Sequence, residues 1–578
     1  MIEKTIPEVF FETVSKYPAK PALLHKKDGV YFPITYQELS EKVKIFATCL
    51  QKFGIKKEDK VAILSENRPE WVVSDLAVML IGGISVPLHT TFNPKAICNI
   101  LNHSQAKILI ISNSDLLNKV LLEKTNLQHL ERIIFMDKLT EMQKESFRGK
   151  IFGWQSLCAR NQTGLYEKIF SDSDDVCSII YTSGTTGDPK GVLLTHKNFL
   201  SNVEAVSQVI PVKKSDIFLS FLPLSHVLER LAGYYTPLAF GATIAYAESI
   251  KQLPANLKEI RPTLLISVPR VFEKFHDTIW DKIRTSKTKN NFFQWALKQK
   301  RGNIRYRIAD YLVFKTIREH LGGRLRLAIS GGASLNDKIA RFFLKIGILV
   351  LEGYGLTETS PVVAVNREKD FKFGTVGKPV PGVKVKISSD KEVLVKGPNV
   401  TQGYFKNPEA TKSAFDSEGW FRTGDMGFLN QEGFLTVIGR KKEMIVTSGG
   451  KNVWPEPIEN LLNKDRFIVN SIVVGDRRKF VSALMVPDWE EVNLYLKKKN
   501  LVAQEPEKLI KHPEVLRVFQ ERVDQKINPN LSDFEKIKKF KLIAHDFSQE
   551  REELTPTLKL RRHIVERHYE KEIEEMYA

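Results

Sequence analysis

The sequence predicts an α/β protein: a large N-terminal domain of mainly parallel β-sheets with helices plus a small β-subdomain, and a smaller α+β C-terminal domain. Three observations carry this. Apolar runs of strand length alternate with helical spacing through the early and middle chain. Near Lys384 the texture changes to short strands between Gly, Pro and Asn turns. A strand–helix module with long charged helices follows the Lys pair at 441–442.

In chain order, residues 70–81 have helical spacing. Residues 84–88 form a short apolar strand after Gly82 and Gly83. Residues 94–101 are helical, and 107–112 (KILIIS) read as a buried strand. The same rhythm recurs at 264–268, 325–329 and 348–351, as parallel strands with crossover helices require. Short strands follow at 383–387 and 392–395, and the C-terminal module contributes 471–475 and 483–487. A boundary at the Lys pair divides the chain into domains 1–440 and 441–578. The alternative is that this stretch is one more surface loop of a single domain.

The 578 residues are 42% hydrophobic and 27% charged, which suits a large core and excludes disordered, collagen-like and disulfide-scaffold classes. The net charge of +19 leaves open nucleic acid, an anionic membrane, polyanionic small substrates or solubility alone. Zinc-finger spacing, RNP-type strands and basic zippers are absent, so nucleic acid falls last. Cys49, Cys98, Cys158 and Cys177 form no CxxC pair and read as free thiols in a reducing compartment. No signal-peptide pattern, prenylation signal or run of eighteen apolar residues is seen, so the expected location is cytoplasmic.

The strongest local signal is 176–196, VCSIIYTSGTTGDPKGVLLTH. An apolar strand runs into Thr182, Ser183, Gly184, Thr185, Thr186 and Gly187, with Lys190 just beyond. Glycines let backbone N–H groups turn inward, hydroxyls add donors and the lysine adds charge, which are the parts needed to hold a polyphosphate. The spacing is not that of a Walker loop, and a structural turn is the competing reading. Tyr354, Gly355 and Leu356-Thr357-Glu358-Thr359 place an aromatic face, hydroxyls and a carboxylate together. A ring can stack on a base and a carboxylate can hold Mg²⁺, although a capped helix start has the same composition. Gly331, Gly332 and Ala333, between Ser330 and Ser334, make a small-residue turn that lets a ligand approach the backbone. Asp425 follows Thr423-Gly424, where a carboxylate can accept both hydroxyls of a ribose or simply form a turn. Lys559, in LTPTLKLRR (554–562), would by composition be a solvated surface lysine.

YTSGTTGDPKG resembles the phosphate loop of the adenylate-forming superfamily, which includes acyl-CoA synthetases, peptide-synthetase adenylation domains and firefly-type luciferases. The resemblance extends over essentially the whole chain, from ITYQEL (34–39) and SENRPEW (65–71) to 554–562. It implies that Tyr354 packs on adenine, Thr359 lies near the phosphates, Glu358 coordinates magnesium, and 330–334 line the adenine and acyl pocket. It implies ribose contacts for Asp425 and Arg440 and a hinge at Lys442 for a mobile C-terminal domain. Gly449 and Gly450 would line a pantetheine channel. Lys559 would be the lysine that closes over the site during adenylation. Here that motif departs from the common Ser-Gly-Lys form and is similar to the Thr-Pro-Thr-Leu-Lys variant of long-chain acyl-CoA synthetases.

FLPLSHVLER (221–230) and RPT…VPRVFEK (261–274) resemble the same branch. The activity this implies is ATP- and Mg²⁺-dependent activation of a long-chain fatty acid and its transfer to CoA. Acyl carrier protein as acceptor is the alternative, and a non-enzymatic basic binder is a third reading. His226 either borders the acyl site or is structural. The basic, aromatic stretch 280–307 either meets an anionic membrane, which would put the protein on the inner membrane face, or is a helical pair packing its aromatics inward.

Overall fold

The computed structural model describes residues 1–147, 149–158, 171–182, 189–502, 505–548, 550–555 and 560–578. It has two compact units. Unit 1 comprises Met1–Lys386, Leu394–Arg422 and Asn430–Leu435; unit 2 comprises Ile387–Val393, Thr423–Leu429 and Thr436–Ala578.

Unit 1 holds two large mixed sheets. The eight-stranded sheet runs in the order Gly403–Tyr404, Lys190–Thr195, Val176–Thr182, Ile84–Leu88, Lys60–Leu64, Ile108–Ile111, Arg132–Phe135, Ile151–Gly153. It is parallel from Val176–Thr182 onward and antiparallel at the Lys190–Thr195 edge. Strand 84–88 lies where the sequence places it, strand 108–111 lies within the expected 107–112, and every residue in both is buried. Parallel strands covered on both faces need such continuous apolar runs.

The nine-stranded sheet is parallel through Leu349–Gly355, Leu327–Ser330, Leu264–Ser267, Ile217–Ser220, Thr243–Tyr246 and Pro21–Lys27. Antiparallel strands flank it at both edges, one of them through the hairpin Pro21–Lys27/Val30–Thr35. Asp28 and Gly29 both have positive φ there, the backbone a tight hairpin turn needs. The stretch after Lys384 forms a four-stranded sheet, in the order Lys384–Ile387, Glu392–Lys396, Phe421–Leu429, Leu435–Arg440.

A buried ion pair ties unit 1 together beneath the phosphate-loop strand. Arg230 and Asp75 are both fully buried and bonded to each other. Arg230 also donates to Ser178 Oγ at 2.7 Å and to Tyr235 Oη at 2.8 Å. Helices Pro69–Leu80 and Glu229–Tyr235 are thereby pinned to strand Val176–Thr182. Removing one partner would leave an uncompensated buried charge, a cost of about 3–5 kcal/mol.

The neighbouring Glu229 is 1% exposed. Burial pushes its carboxyl up to about 8, against a smaller opposing effect of Ser220. The folded chain therefore keeps a proton that the unfolded chain loses near the ordinary value of 4.5, and stability falls as pH rises from there through about 8. In Glu229→Gln the fall in unfolding free energy between pH 5 and pH 9 should shrink by about 2–4 kcal/mol. Denaturant titrations at both pH values measure it; an unchanged pH slope would show that Glu229 is ionised in the fold.

In the stretch 280–307 the polar and basic side chains are mostly exposed, while most of the aromatics pack inward. Phe293 is buried in the core cluster, with Trp280 and Trp295 half-buried against it. Trp280 meets Phe293 edge-on at 5.0 Å, while the exposed Phe292 stacks on Trp295 at 5.2 Å.

Unit 2 is built on the sheet Ile468–Val474, Val481–Pro487, Ile537–Leu542. Alternation divides its faces. Val473, Ala483 and Met485 pack with Val492, Leu496, Val515 and Phe519. Ile472, Leu484 and Val486 pack with Phe547, Val565 and Met576. Helices on both sides thus enclose an α+β core. Cys49, Cys98, Cys158 and Cys177 are free thiols. Among the described residues no helix is long and apolar enough to cross a membrane.

Candidate active site

In unit 1 the candidate residues collect at the C-terminal ends of parallel strands, where open α/β sheets bind ligands. Strands Val176–Thr182 and Lys190–Thr195 pair antiparallel with Thr182 opposite Lys190, so they bring both ends of the glycine-rich loop together. Of that loop, Ser183, Gly184, Thr185, Thr186 and Gly187 lie outside the described residues. Lys190 is exposed, its ammonium 5.3 Å from the centre of the Tyr404 ring. The Tyr404 hydroxyl donates to Glu358 Oε1 at 3.0 Å. A cation, an aromatic hydroxyl and a carboxylate thus stand in a row at the start of strand Lys190–Thr195.

Three polar residues hold the Glu358 turn in place, Thr401 through its backbone and Asn399 and Asn202 through their side chains. The Thr401 N–H donates to the Glu358 carbonyl at 2.8 Å, and the Thr401 hydroxyl donates to Leu193 on the loop's returning strand. Asn399 donates to the Thr359 carbonyl at 2.8 Å, and Asn202 binds both the N–H and the carbonyl of Val362. The turn demands glycine at 355, where a Cβ would sit 1.9 Å from the Pro361 carbonyl oxygen. Thr359 is buried, and its hydroxyl closes the turn by donating to Pro361 at 2.5 Å. Tyr354 is half-buried and, with Gly355, belongs to the strand itself, because the antiparallel partner Val362–Val365 extends the pairing past Leu351.

Gly331, Gly332 and Ala333 follow the adjacent strand, with Gly332 and Ala333 exposed. The Gly331 N–H donates to Ser267 at 3.0 Å, and a Cβ on Gly331 would press on Leu228 at 3.0 Å. Next to this turn lies Glu352, which sequence reasoning missed. It accepts from the Leu335 N–H at 2.8 Å, and burial pushes its carboxyl up to about 7. His226 is half-buried and accepts from the Leu228 N–H at 3.3 Å. Its ring lies 6.4 Å from His89, which burial drives down to about 4 and therefore keeps neutral near pH 7.

In unit 2, Asp425 and Arg440 come together: Arg440 Nε lies 2.9 Å from Asp425 Oδ1. Asp425 lies within strand Phe421–Leu429 rather than beyond it, with its N–H bonded to Thr423 Oγ1 at 3.0 Å. The pair holds one carboxylate oxygen against a guanidinium. Lys442 is exposed in the single turn Lys441–Glu443 that follows strand Leu435–Arg440. Gly449 and Gly450 are exposed between strands Ile445–Val446 and Asn452–Val453, with Gly450 at φ +71° and open space around it. Lys559 lies outside the described residues; beside it, Leu554 and Leu560 form an antiparallel bridge.

No cluster of three or more His, Cys, Asp or Glu able to hold a metal occurs among the described residues. The donor set is one half-exposed carboxylate, Glu358. That suits Mg²⁺ carried on substrate phosphates, which the ion prefers with one or two carboxylates and water, over an all-protein cage.

This is the layout of an ATP-using enzyme that activates an acid. The AMP-binding enzyme family matches residues 10–405, and the AMP-binding enzyme C-terminal domain matches 442–578. The chain belongs to this adenylate-forming, acyl-CoA ligase family. It is 34% identical to a long-chain-fatty-acid–CoA ligase of Mycobacterium bovis, covering 95% of this chain and 93% of that one. It is 28% identical to a chloroplastic long-chain-fatty-acid–[acyl-carrier-protein] ligase of Arabidopsis thaliana, covering 100% and 87%. The fold matches the crystal structure of the anthranilate CoA ligase AuaEII in complex with anthranoyl-AMP, with TM-score 0.78 at 20% identity over 100% and 99% of the two chains.

Proposed function

We propose that the protein activates a long-chain fatty acid with ATP and transfers the acyl group to the thiol of CoA. The Lys190–Tyr404–Glu358 row at the start of strand Lys190–Thr195 carries the chemistry, and the full-length likeness to a long-chain-fatty-acid–CoA ligase supports the substrate.

A fatty carboxylate oxygen attacks the α-phosphorus of ATP. The bond to the bridging oxygen breaks, and pyrophosphate leaves. The CoA sulfur then attacks the acyl carbon, the bond to AMP breaks, and the thiol proton passes to solvent. Both partners of the first step are anions, so the site must gather positive charge. The loop 182–187 and Lys190 hold the β- and γ-phosphates. Glu358 holds Mg²⁺, whose charge offsets that of the phosphates when it is bound. Tyr354 and the turn 331–333 receive adenine, Asp425 and Arg440 the ribose, and Lys559 the α-phosphate and attacking carboxylate. Domains 1–440 and 441–578 meet at a hinge, Lys442, and rotation about it withdraws Lys559 and brings Gly449 and Gly450 to the pantetheine arm.

The proposed location is the cytoplasm, or the inner face of the membrane where the basic stretch 280–307 meets lipid. A second reading, transfer to acyl carrier protein, draws on the Arabidopsis relative. A panel of medium- to very-long-chain acids, offered with CoA or with carrier protein, tests both. AMP release matched by acyl-CoA, greatest with long chains, is expected. Thioester formed only on carrier protein would replace the first reading with the second.

A further inference from the structure

The basic excess is concentrated. Residues 282–315 contain ten Lys or Arg and one acidic residue, Asp310, which is itself paired with Arg318 at 2.6 Å. From Ile304 the segment is one helical run through Ile304–Ala309, Asp310–Phe314 and Lys315–His320.

This run has two apolar faces. Ala309, Phe314, Val313 and Ile317 face the core, and the Tyr306 hydroxyl anchors that face by donating to the Lys345 carbonyl. The opposite face carries Ile304, Ile308, Tyr311 and Leu312, which are 71%, 46%, 69% and 52% exposed. Their spacing puts them on one stripe. A single exposed apolar residue is ordinary; four on one stripe mark an interaction surface. Arg301, Arg305, Arg307 and Lys315 are exposed around it, with the Lys315 ammonium 5.3 Å from the Tyr311 ring.

We propose that the stripe Ile304, Ile308, Tyr311 and Leu312 docks on an anionic lipid surface, with its flanking arginines and lysine on the headgroup phosphates. An apolar row between basic side chains is how an interfacial helix enters the headgroup layer. An acidic protein partner would also bury such a row, and it stands as an outcome of the test below. The surface overlaps the end of the basic stretch 280–307 and continues past it to Lys315, whereas Phe293, Trp280 and Trp295 of that stretch pack on the core. It deepens the proposed fatty-acid reading, since such a substrate partitions into bilayers, but its test does not need that reading to hold.

The test is vesicle co-sedimentation of the full chain, using phosphatidylcholine alone and phosphatidylcholine with about one third phosphatidylglycerol. The wild type should bind the anionic vesicles about tenfold or more tightly than the neutral ones. The variant Ile304→Ser/Ile308→Ser/Tyr311→Ser/Leu312→Ser should lose about tenfold or more of that binding. Arg305→Gln/Arg307→Gln should bind more weakly at low salt and lose its difference from wild type at high salt. Circular dichroism and activity on a short, soluble acid check that the variants fold. Equal binding by wild type and the stripe variant, or indifference to phosphatidylglycerol, would overturn the proposal. So would a stripe variant that keeps vesicle binding but loses transfer to carrier protein, which would make the face a protein-docking surface. If no acid supports activity, vesicle binding still reports on the stripe, so the two failures are distinguishable.

Discussion

Lys559→Ala should slow acyl-adenylate formation by about 10²–10³-fold, the usual loss when one preorganised charge is removed from a developing anion. Transfer to CoA from supplied acyl-adenylate should change by no more than about twofold, because in the proposed cycle this lysine has left the site by then. Single-turnover assays of the two halves measure both. The bracketing residues Leu554 and Leu560 pack on the unit 2 cluster of Ile472, Leu484 and Val565, so this exchange beside an anchored bridge should leave the core intact. Lys442→Ala is expected to show the reverse bias, with adenylation kept and thioester formation slowed. Equal slowing of both halves by Lys559→Ala would make it a structural residue and remove it from the mechanism.

The second large effect is expected at Glu358. Glu358→Gln keeps the side-chain shape and can still accept from Tyr404, while the charge is lost. Turnover should fall by about 10²-fold or more, and raising the Mg²⁺ concentration should recover part of it. Tyr404→Phe removes only the hydroxyl that orients the carboxylate, so a loss of about tenfold or less is expected. Titrating Mg²⁺ at fixed ATP for all three proteins separates the roles. A Glu358→Gln enzyme with wild-type turnover and Mg²⁺ dependence would show that the carboxylate serves only the turn held by Thr401 and Asn399.

Much of the fold was legible because fully buried parallel strands have an unmistakable composition. Residues 84–88 and 108–111 can be read directly, since nothing but apolar side chains suits a strand covered on both faces. Sheet order is another matter. That strand Pro21–Lys27 lies beside Thr243–Tyr246, or that Gly403–Tyr404 joins the edge of Lys190–Thr195, depends on pairing across some two hundred residues.

The same distance hides part of the site. Glycines, hydroxyls and a lysine announce a phosphate loop in one short stretch. Tyr404 stands in an unremarkable Gly-Tyr-Phe and gains a role only because its strand bonds to Val192 and turns its hydroxyl onto Glu358. Glu352 looks like one more strand residue until burial beside Leu335 is known. Family likeness, not spacing, pairs Asp425 with Arg440, and the structure places them 2.9 Å apart. In the basic stretch 280–307 composition alone does not separate surface from core: Phe293 fills the core with Trp280 and Trp295 against it, while Phe292, Ile304 and the arginines at 301, 305 and 307 are exposed.

Everything proposed for this chain passes through an acyl-adenylate. Exchange of labelled pyrophosphate into ATP, with fatty acid present and CoA absent, reads that step alone. Exchange should require both a long-chain acid and Mg²⁺ and be nearly abolished in Lys559→Ala. Absence of exchange with every acid tried, or exchange that ignores the acid, would contradict it.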